Sequence, residues 1–227
     1  MPKNIELEVR GEIRAKDIPS IEHRLKTLGY TLTSTTRRTS IMSFGTIDGA
    51  GKNWRTGKKD EVDVRCRITN GKAEVVTKIG RTSAANRVEI SVPTSLQDMV
   101  AFSRLFAAMP FFTKVGSKAT KNYQKGPITI SLVTSPSGLA YIEIEKMTDR
   151  AHEKEEERQL RQLAKDLGVT LWTTHGQFIT FCDRLTKRDD WAFHGTTADL
   201  KRLQREIKTM KSDRHEERVK RNPEPKT

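Results

Sequence analysis

Near the N-terminus the chain reads Ile5-Glu6-Leu7-Glu8-Val9-Arg10-Gly11. Two carboxylates and a guanidinium alternate with Ile5, Leu7 and Val9, which is the two-residue period of a strand, so Glu6, Glu8 and Arg10 share one face. The pattern recurs along the chain. Asp63, Arg65 and Arg67 oppose Val62, Val64, Cys66 and Ile68, while Lys72, Glu74 and Lys78 oppose Ala73, Val75, Thr77 and Ile79. Arg87, Glu89 and Ser91 oppose Val88, Ile90 and Val92, and Glu143 and Glu145 oppose Ile142 and Ile144. Every one of these segments offers one apolar face and one charged face. Clustered carboxylates are the hard oxygen donors that select Mg²⁺ or Mn²⁺. Arginines and lysines in number suit phosphate oxygens through charge-assisted, often bidentate, hydrogen bonds. A polyanion together with a divalent metal points to a triphosphate.

The elements that must position these residues can be read from the same sequence. Asp17 and Pro19 open a short helix with Ile18, Ile21, Leu25 and Leu28 on one stripe and Gly29 to end it. A polar strand is predicted over residues 35–44, followed by a segment at 45–61 with four glycines that reads as a loop. Asn70-Gly71 between two alternating runs predicts a hairpin. The run at 86–92 reads as a strand, and a helix carries Leu96, Met99, Val100, Leu105 and Phe106. Three further strand segments lie within residues 114–147, and helices are predicted near 150–167 and over 177–185. Antiparallel hairpins with helices between them predict an α+β domain or a closed antiparallel barrel dressed with helices.

Composition narrows the partner. The chain has 227 residues and a net charge of +13, which calls for an anionic partner: nucleic acid, a phosphorylated metabolite or an acidic surface. Residues 187–227 hold 12 Lys and Arg against 8 Asp and Glu, an excess of 4, so +9 of the charge belongs to residues 1–186. The basic character is therefore not a tail effect. Residues 197–220 read as a solvated helix with few apolar anchors, and the final Asn222-Pro223-Glu224-Pro225-Lys226-Thr227 as disordered. There is no apolar run of about 20 residues and no signal-peptide core, so a cytoplasmic protein without a membrane partner is expected. Cys66 and Cys182 form no metal or redox motif and are expected as reduced thiols. The five histidines do not cluster, and Trp54, Trp172 and Trp191 are scattered packing residues, with stacking on a base or a thiazole ring an alternative for Trp54.

Two arrangements satisfy the alternation. In an open sheet the charged faces meet water and solvate the protein. In a closed barrel with helices outside, the charged faces point at one another and form a tunnel. Such an interior needs a polyanion, because buried charges must be paired.

Glu6-Leu7-Glu8-Val9-Arg10 resembles the ExExK signature of the CYTH superfamily, also called triphosphate tunnel metalloenzymes. The later order is similar too: Arg65-x-Arg67, Thr77-Lys78, Arg87-x-Glu89, a basic strand with Lys118 and Lys121, and Glu143-Ile144-Glu145. The resemblance covers roughly residues 4–185. It implies an eight-stranded antiparallel β-barrel tunnel over residues 1–186 with helices packed on its outside, and residues 187–227 remain as the basic helical extension, with a disordered end, read from composition. It also implies that Glu6, Glu8, Glu143 and Glu145 bind Mg²⁺ or Mn²⁺, and that Arg10, Arg65, Arg67, Lys78, Arg87, Lys118 and Lys121 contact phosphate. Glu6, Glu8, Lys78 and Glu89 form the implied catalytic set, with Glu89 orienting an arginine ahead of binding metal or acting as a base.

The implied activity is metal-dependent hydrolysis of thiamine triphosphate, inorganic triphosphate or a nucleoside triphosphate. The alternatives are an adenylate cyclase of the class IV type and an RNA 5′-triphosphatase or non-catalytic phosphate- or RNA-binding protein, with RNA held by basic surface or the C-terminal helix. A monomer or a homodimer is expected. Four positions depart from the family pattern. Arg10 stands for the usual Lys, Lys121 for the more usual Arg, Val133 where an Asp is common, and Ser91 where a second acid often follows. These departures bear on the second metal site more than on the first.

Overall fold

The alternating segments are strands and the striped segments helices. The structure is a computed structural model and describes residues 5–46, 61–79, 88–109, 112–149 and 151–208. In chain order the elements are β1 (Ile5–Arg14), α1 (Ile18–Thr27), β2 (Thr31–Thr46), β3 (Glu61–Thr69), β4 (Lys72–Ile79) and β5 (Val88–Thr94). Then follow α2 (Leu96–Ala108), β6 (Phe112–Lys125), β7 (Ile128–Thr134), β8 (Leu139–Thr148), α3 (Glu153–Asp166), α4 (His175–Arg188), β9 (Trp191–Ala192) and α5 (197–208). The class is α+β, built on a large antiparallel sheet. Its strand order is β1-β8-β7-β6-β2-β3-β4-β5, with β9 paired to β6. Arg87, Trp54, most of the glycine-rich segment and the end of the chain from residue 209 lie outside the described residues. Among the described residues no helix is long and apolar enough to cross a membrane.

The chain divides into two compact units. The first comprises residues up to 36 together with 117–190, so far as these are described. Here β1, β8, β7 and the second half of β6 turn Val9, Ile13, Ile142, Ile144, Ile130, Leu132 and Tyr123 to one face. That face meets Ile21 and Leu25 of α1 and Leu160 and Ala164 of α3 in a single core. Burying a leucine such as Leu25 or Leu160 contributes about 1.5–3 kcal/mol. The helices stop where glycine takes a left-handed backbone: Gly29 at φ +83° after α1 and Gly168 at φ +70° after α3. α4 begins with a capping box, Thr174 accepting from the Gln177 amide while the Gln177 side chain accepts from the Thr174 amide.

The second unit comprises residues 37–82, 87–116 and 191 onward, so far as these are described. The Asn70-Gly71 turn joins β3 to β4 with both residues at positive φ, 50° and 81°, as a tight two-residue hairpin requires. Ile41, Cys66, Ile68 and Ala73 share the apolar face with Met99 of α2, Phe193 and Leu203 of α5. The expectation of a solvated terminal helix is corrected over 197–208. Leu200, Leu203 and Ile207 recur at helical spacing, and Leu203 is fully buried in this core.

Candidate functional site

In the first unit the charged face of β1 is matched to β8 residue by residue. Glu8 is the Cα partner of Glu145, and Arg10 of Glu143. Thr129, Ser131 and Val133 of β7 continue the same face as partners of Glu145, Glu143 and Tyr141. Arg10 stands at the centre of the carboxylates. Its Nη2 lies 2.5 Å from Glu8 Oε2, and its Nε donates to Glu143 Oε1 at 3.0 Å. The guanidinium also sits 4.9 Å above the ring of Phe178 on α4. The Arg10 carbonyl accepts from the Trp172 amide at 2.8 Å, and the neighbouring Gly11 is pressed so close to the Thr170 carbonyl that a side chain would collide with it.

The electrostatics follow from this crowding. Burial pushes the Glu8 carboxyl up to about 8 against the pull of Arg10, with Glu143 and Glu6 adding to the rise. Burial, the charge of Glu6 and a hydrogen bond with Glu6 push Glu145 up to about 7. Although burial opposes it, the paired Glu8 and Glu143 hold the Arg10 guanidinium more firmly charged than usual. At the other end of the face, Tyr141 takes a hydrogen bond from Lys118 Nζ at 3.4 Å and packs edge-on against Phe181. Burial and the nearby Glu143 drive its phenol well above its ordinary range.

The donor chemistry of Glu6, Glu8, Glu143 and Glu145, four carboxylates on one face, is that of hard oxygen ligands for a divalent cation. Yet among the described residues no three His, Cys, Asp or Glu side chains converge as a ready cation site. The positive charge between Glu8 and Glu143 is Arg10. Val133, at the position where the family pattern has an acid, is buried and supplies no further donor.

Lys121 is not on this face. It is the partner of Leu132, whose side chain belongs to the core, and its Nζ bonds Glu22 of α1 at 2.6 Å. Glu22 also accepts from the Tyr123 hydroxyl at 2.7 Å. Although burial raises it, these two bonds hold its carboxyl below the usual range. Lys121 thus ties a helix to the sheet, whereas Lys118, an odd number of residues away, projects to the carboxylate side.

In the second unit the charged face carries a network. Arg65 grips Asp63 through two bonds, Nε to Oδ1 at 2.7 Å and Nη2 to Oδ2 at 2.5 Å, and Asp63 is buried. Arg67 donates to Glu74 at 2.8 Å and to Glu89 at 3.3 Å, and Lys78 bonds the second oxygen of Glu89 at 2.6 Å. Glu89 therefore holds two cations in place. Burial raises its carboxyl, but Lys78 and Arg67 outweigh that and keep it below the usual range. Hydrogen bonding from Arg67 first, and from Ser91, does the same for Glu74. Ser91, at the position of a family acid, thus positions a neighbouring one.

Two participants were not singled out from sequence. Arg38 of β2 donates to Thr69 at 2.9 Å, and burial followed by repulsion from Arg67 lowers its proton affinity. Its position one period from the paired Ser40–Arg67 is the signal that could have found it. Tyr141 stands one period before Glu143 on the same face and was legible by the same alternation.

No family model and no curated protein matches the chain. Solved structures do. A candidate adenylate cyclase from Vibrio parahaemolyticus superposes with a TM-score of 0.56 at 14% identity, covering 78% of this chain and 98% of that one. The PH1819 protein from Pyrococcus horikoshii gives 0.55 at 18% identity, covering 79% and 99%, and the PH1012 protein from the same organism gives 0.54 at 19%, covering 73% and 92%. The chain shares its fold with these structures. In this fold the strands that carry Glu6-x-Glu8-x-Arg10, Arg65-x-Arg67 and Glu143-x-Glu145 are β1, β3 and β8, in the order the resemblance implies.

Proposed function

We propose that the protein is a divalent-metal-dependent triphosphatase acting on a small-molecule triphosphate in the charged tunnel that the family resemblance implies. The observation that carries this reading is the carboxylate set of β1 and β8, four glutamates on one face. Glu6, Glu8, Glu143 and Glu145 would hold Mg²⁺ or Mn²⁺, which when bound neutralises phosphate oxygens and lowers the pKa of a water. By the resemblance Arg65, Arg67 and Lys78 would bind phosphate oxygens, and their partners Asp63, Glu74 and Glu89 hold them at fixed angles. A guanidinium fixed in advance stabilises charge that develops on the transferring phosphoryl group without reorganising at that moment. Lys118 adds a further cation beside Tyr141.

The second reading is an adenylate cyclase, favoured by the likeness to the Vibrio protein of that description. The same groups would bind ATP, with the ribose 3′-hydroxyl attacking the α-phosphorus and pyrophosphate leaving. One experiment separates the two: incubation with ATP, tripolyphosphate and thiamine triphosphate under Mg²⁺ or Mn²⁺, with products followed by phosphorus NMR. Orthophosphate supports hydrolysis, cyclic AMP with pyrophosphate supports the cyclase, and no product from any substrate overturns both.

A further inference from the structure

One part of the second unit keeps its apolar face bare. The register of β5 on β4 sets Val92 opposite Val75 and Ile90 opposite Thr77. Val75 packs against the core that holds Met99 of α2, so Ile90 and Val92 stand on that same side of the sheet. They are nevertheless 50% and 57% exposed. The reason is where α2 lies: over β3 and β4, leaving β5 at the end of the strand order uncovered. One flank of the helix is occupied. A Cβ on Gly195, just after β9, would sit 3.5 Å from Ala107 and 3.6 Å from Arg104, and β9 is paired to β6, away from β5. Helical spacing turns Phe102, Leu105 and Met109 to the opposite flank, on the β5 side. They are 38%, 53% and 37% exposed, although Phe102 stacks on Phe106, which packs against the core.

We propose that this step, a helix ridge beside an uncovered strand, is a docking surface for a second copy of the chain. Two copies related by a twofold axis set each α2 flank on the other's β5. Phe102, Leu105 and Met109 of one copy then cover Ile90 and Val92 of the other, twice over. A ridge with an adjoining ledge is complementary to itself in that arrangement, as an isologous interface requires. The five side chains expose about 450 Å² per copy, the size of patch that marks interaction sites on soluble proteins. Two copies join about 900 Å² of apolar surface, which in an interface about 65% apolar corresponds to roughly 1,400 Å² in all, within the range of specific, stable contacts. Other occupants fit less well. The stripe holds no cation, and the acid at its start, Asp98, accepts from Ser95 Oγ at 2.7 Å, so it offers nothing to a nucleic acid. The sequence after α5 is too polar to fill the ledge: residues 209–227 hold six basic and four acidic side chains and, prolines aside, only Met210 and Val219 to bury. Glu89 and Ser91 alternate with the patch on β5, so docking leaves the network of Arg67, Glu89 and Lys78 in place on the other face.

The test is sedimentation velocity of the full chain from about 1 to about 50 µM, for wild type, Ile90→Lys, Leu105→Glu and Leu32→Lys. Circular dichroism reports whether each variant is folded. Wild type is expected to sediment as a dimer at the upper concentrations. A charge set into the apolar contact should weaken association by about 100-fold or more in Ile90→Lys and in Leu105→Glu. Leu32, on β2 in the first unit, is similarly exposed but outside the patch, and Leu32→Lys should associate as wild type does. Should one patch variant not fold, the other carries the test. A monomeric wild type at about 50 µM overturns the proposal, as does a dimer that survives both patch substitutions or is weakened as much by Leu32→Lys. A monomer that floats with phosphatidylcholine vesicles also overturns it, and assigns the patch to a lipid surface instead.

Discussion

Glu8 and Glu145 are direct partners across the β1–β8 ladder, two carboxylates set opposite one another on one half-buried face. Burial first, and then the charges of Glu6 and Glu143, raise their proton affinities to about 8 and about 7. In the unfolded chain both titrate near 4.5. Between that value and about 8 the folded state binds more protons than the unfolded one, so stability falls as pH rises. The contribution of these two groups is complete below the unfolded value and is lost through pH 7 to 8. In metal-free buffer the melting temperature should decline from about pH 5 to pH 8.5, and the decline should be shallower in Glu8→Gln. An identical slope in the two proteins, measured by thermal denaturation across that range, would refute the assignment.

The same substitution separates stability from function. Glu8→Gln removes one charged oxygen donor but keeps a carbonyl that accepts from Arg10, so the melting temperature at pH 8 should hold or rise. Metal-stimulated turnover should fall by about 100-fold, the order expected when one charge-stabilising group is lost from a phosphoryl-transfer site. Full Mg²⁺-stimulated phosphate release by Glu8→Gln would remove this glutamate from the metal set.

Arg67 is the hub of the second unit's network, reaching Glu74 and Glu89 at once. Tripolyphosphate binds only the folded state and should raise the melting temperature, by the equivalent of about 2.7 kcal/mol at a hundredfold excess over its Kd. Arg67→Ala should lose most of that rise, because it removes the fork and releases the carboxylate that steadies Lys78. A ligand-induced shift in Arg67→Ala as large as in wild type, read by differential scanning fluorimetry, would show that phosphate is bound elsewhere.

Which of these features could be read from sequence depended on whether local alternation alone decided them. The faces of β1, β3, β4 and β8 follow from a two-residue period, and Glu6, Glu8, Arg65, Arg67 and Glu143 stand where that period puts them. Pairing across the face did not follow. That Arg10 belongs to Glu143 depends on a register between residues 133 positions apart. β6 hides its alternation because lysines stand on both faces, Lys118 on one and Lys121 and Lys125 on the other. Only Glu22, on a helix 99 positions away, explains Lys121. In α5 the charged majority masked the stripe of Leu200, Leu203 and Ile207, whose burial is decided by the apolar face it meets.

Lys118 and Lys121 give the most direct check on this division of β6, since the two residues are alike in type and three positions apart. Lys121 is about half exposed, and its pair with Glu22 is a partly screened surface contact, worth less than about 1 kcal/mol. Lys121→Ala should therefore cost a small drop in melting temperature, through the loosened contact of α1 and the neighbouring Tyr123, and leave kcat/KM within about twofold. Lys118→Ala removes a cation from the carboxylate side, next to Tyr141, and should lower kcat/KM by about tenfold or more, as loss of a charge-assisted phosphate contact does. Steady-state kinetics of the two variants on one substrate compare them directly. Equal losses, or a larger loss at position 121, would mean that the substrate engages the helix-covered face of β6.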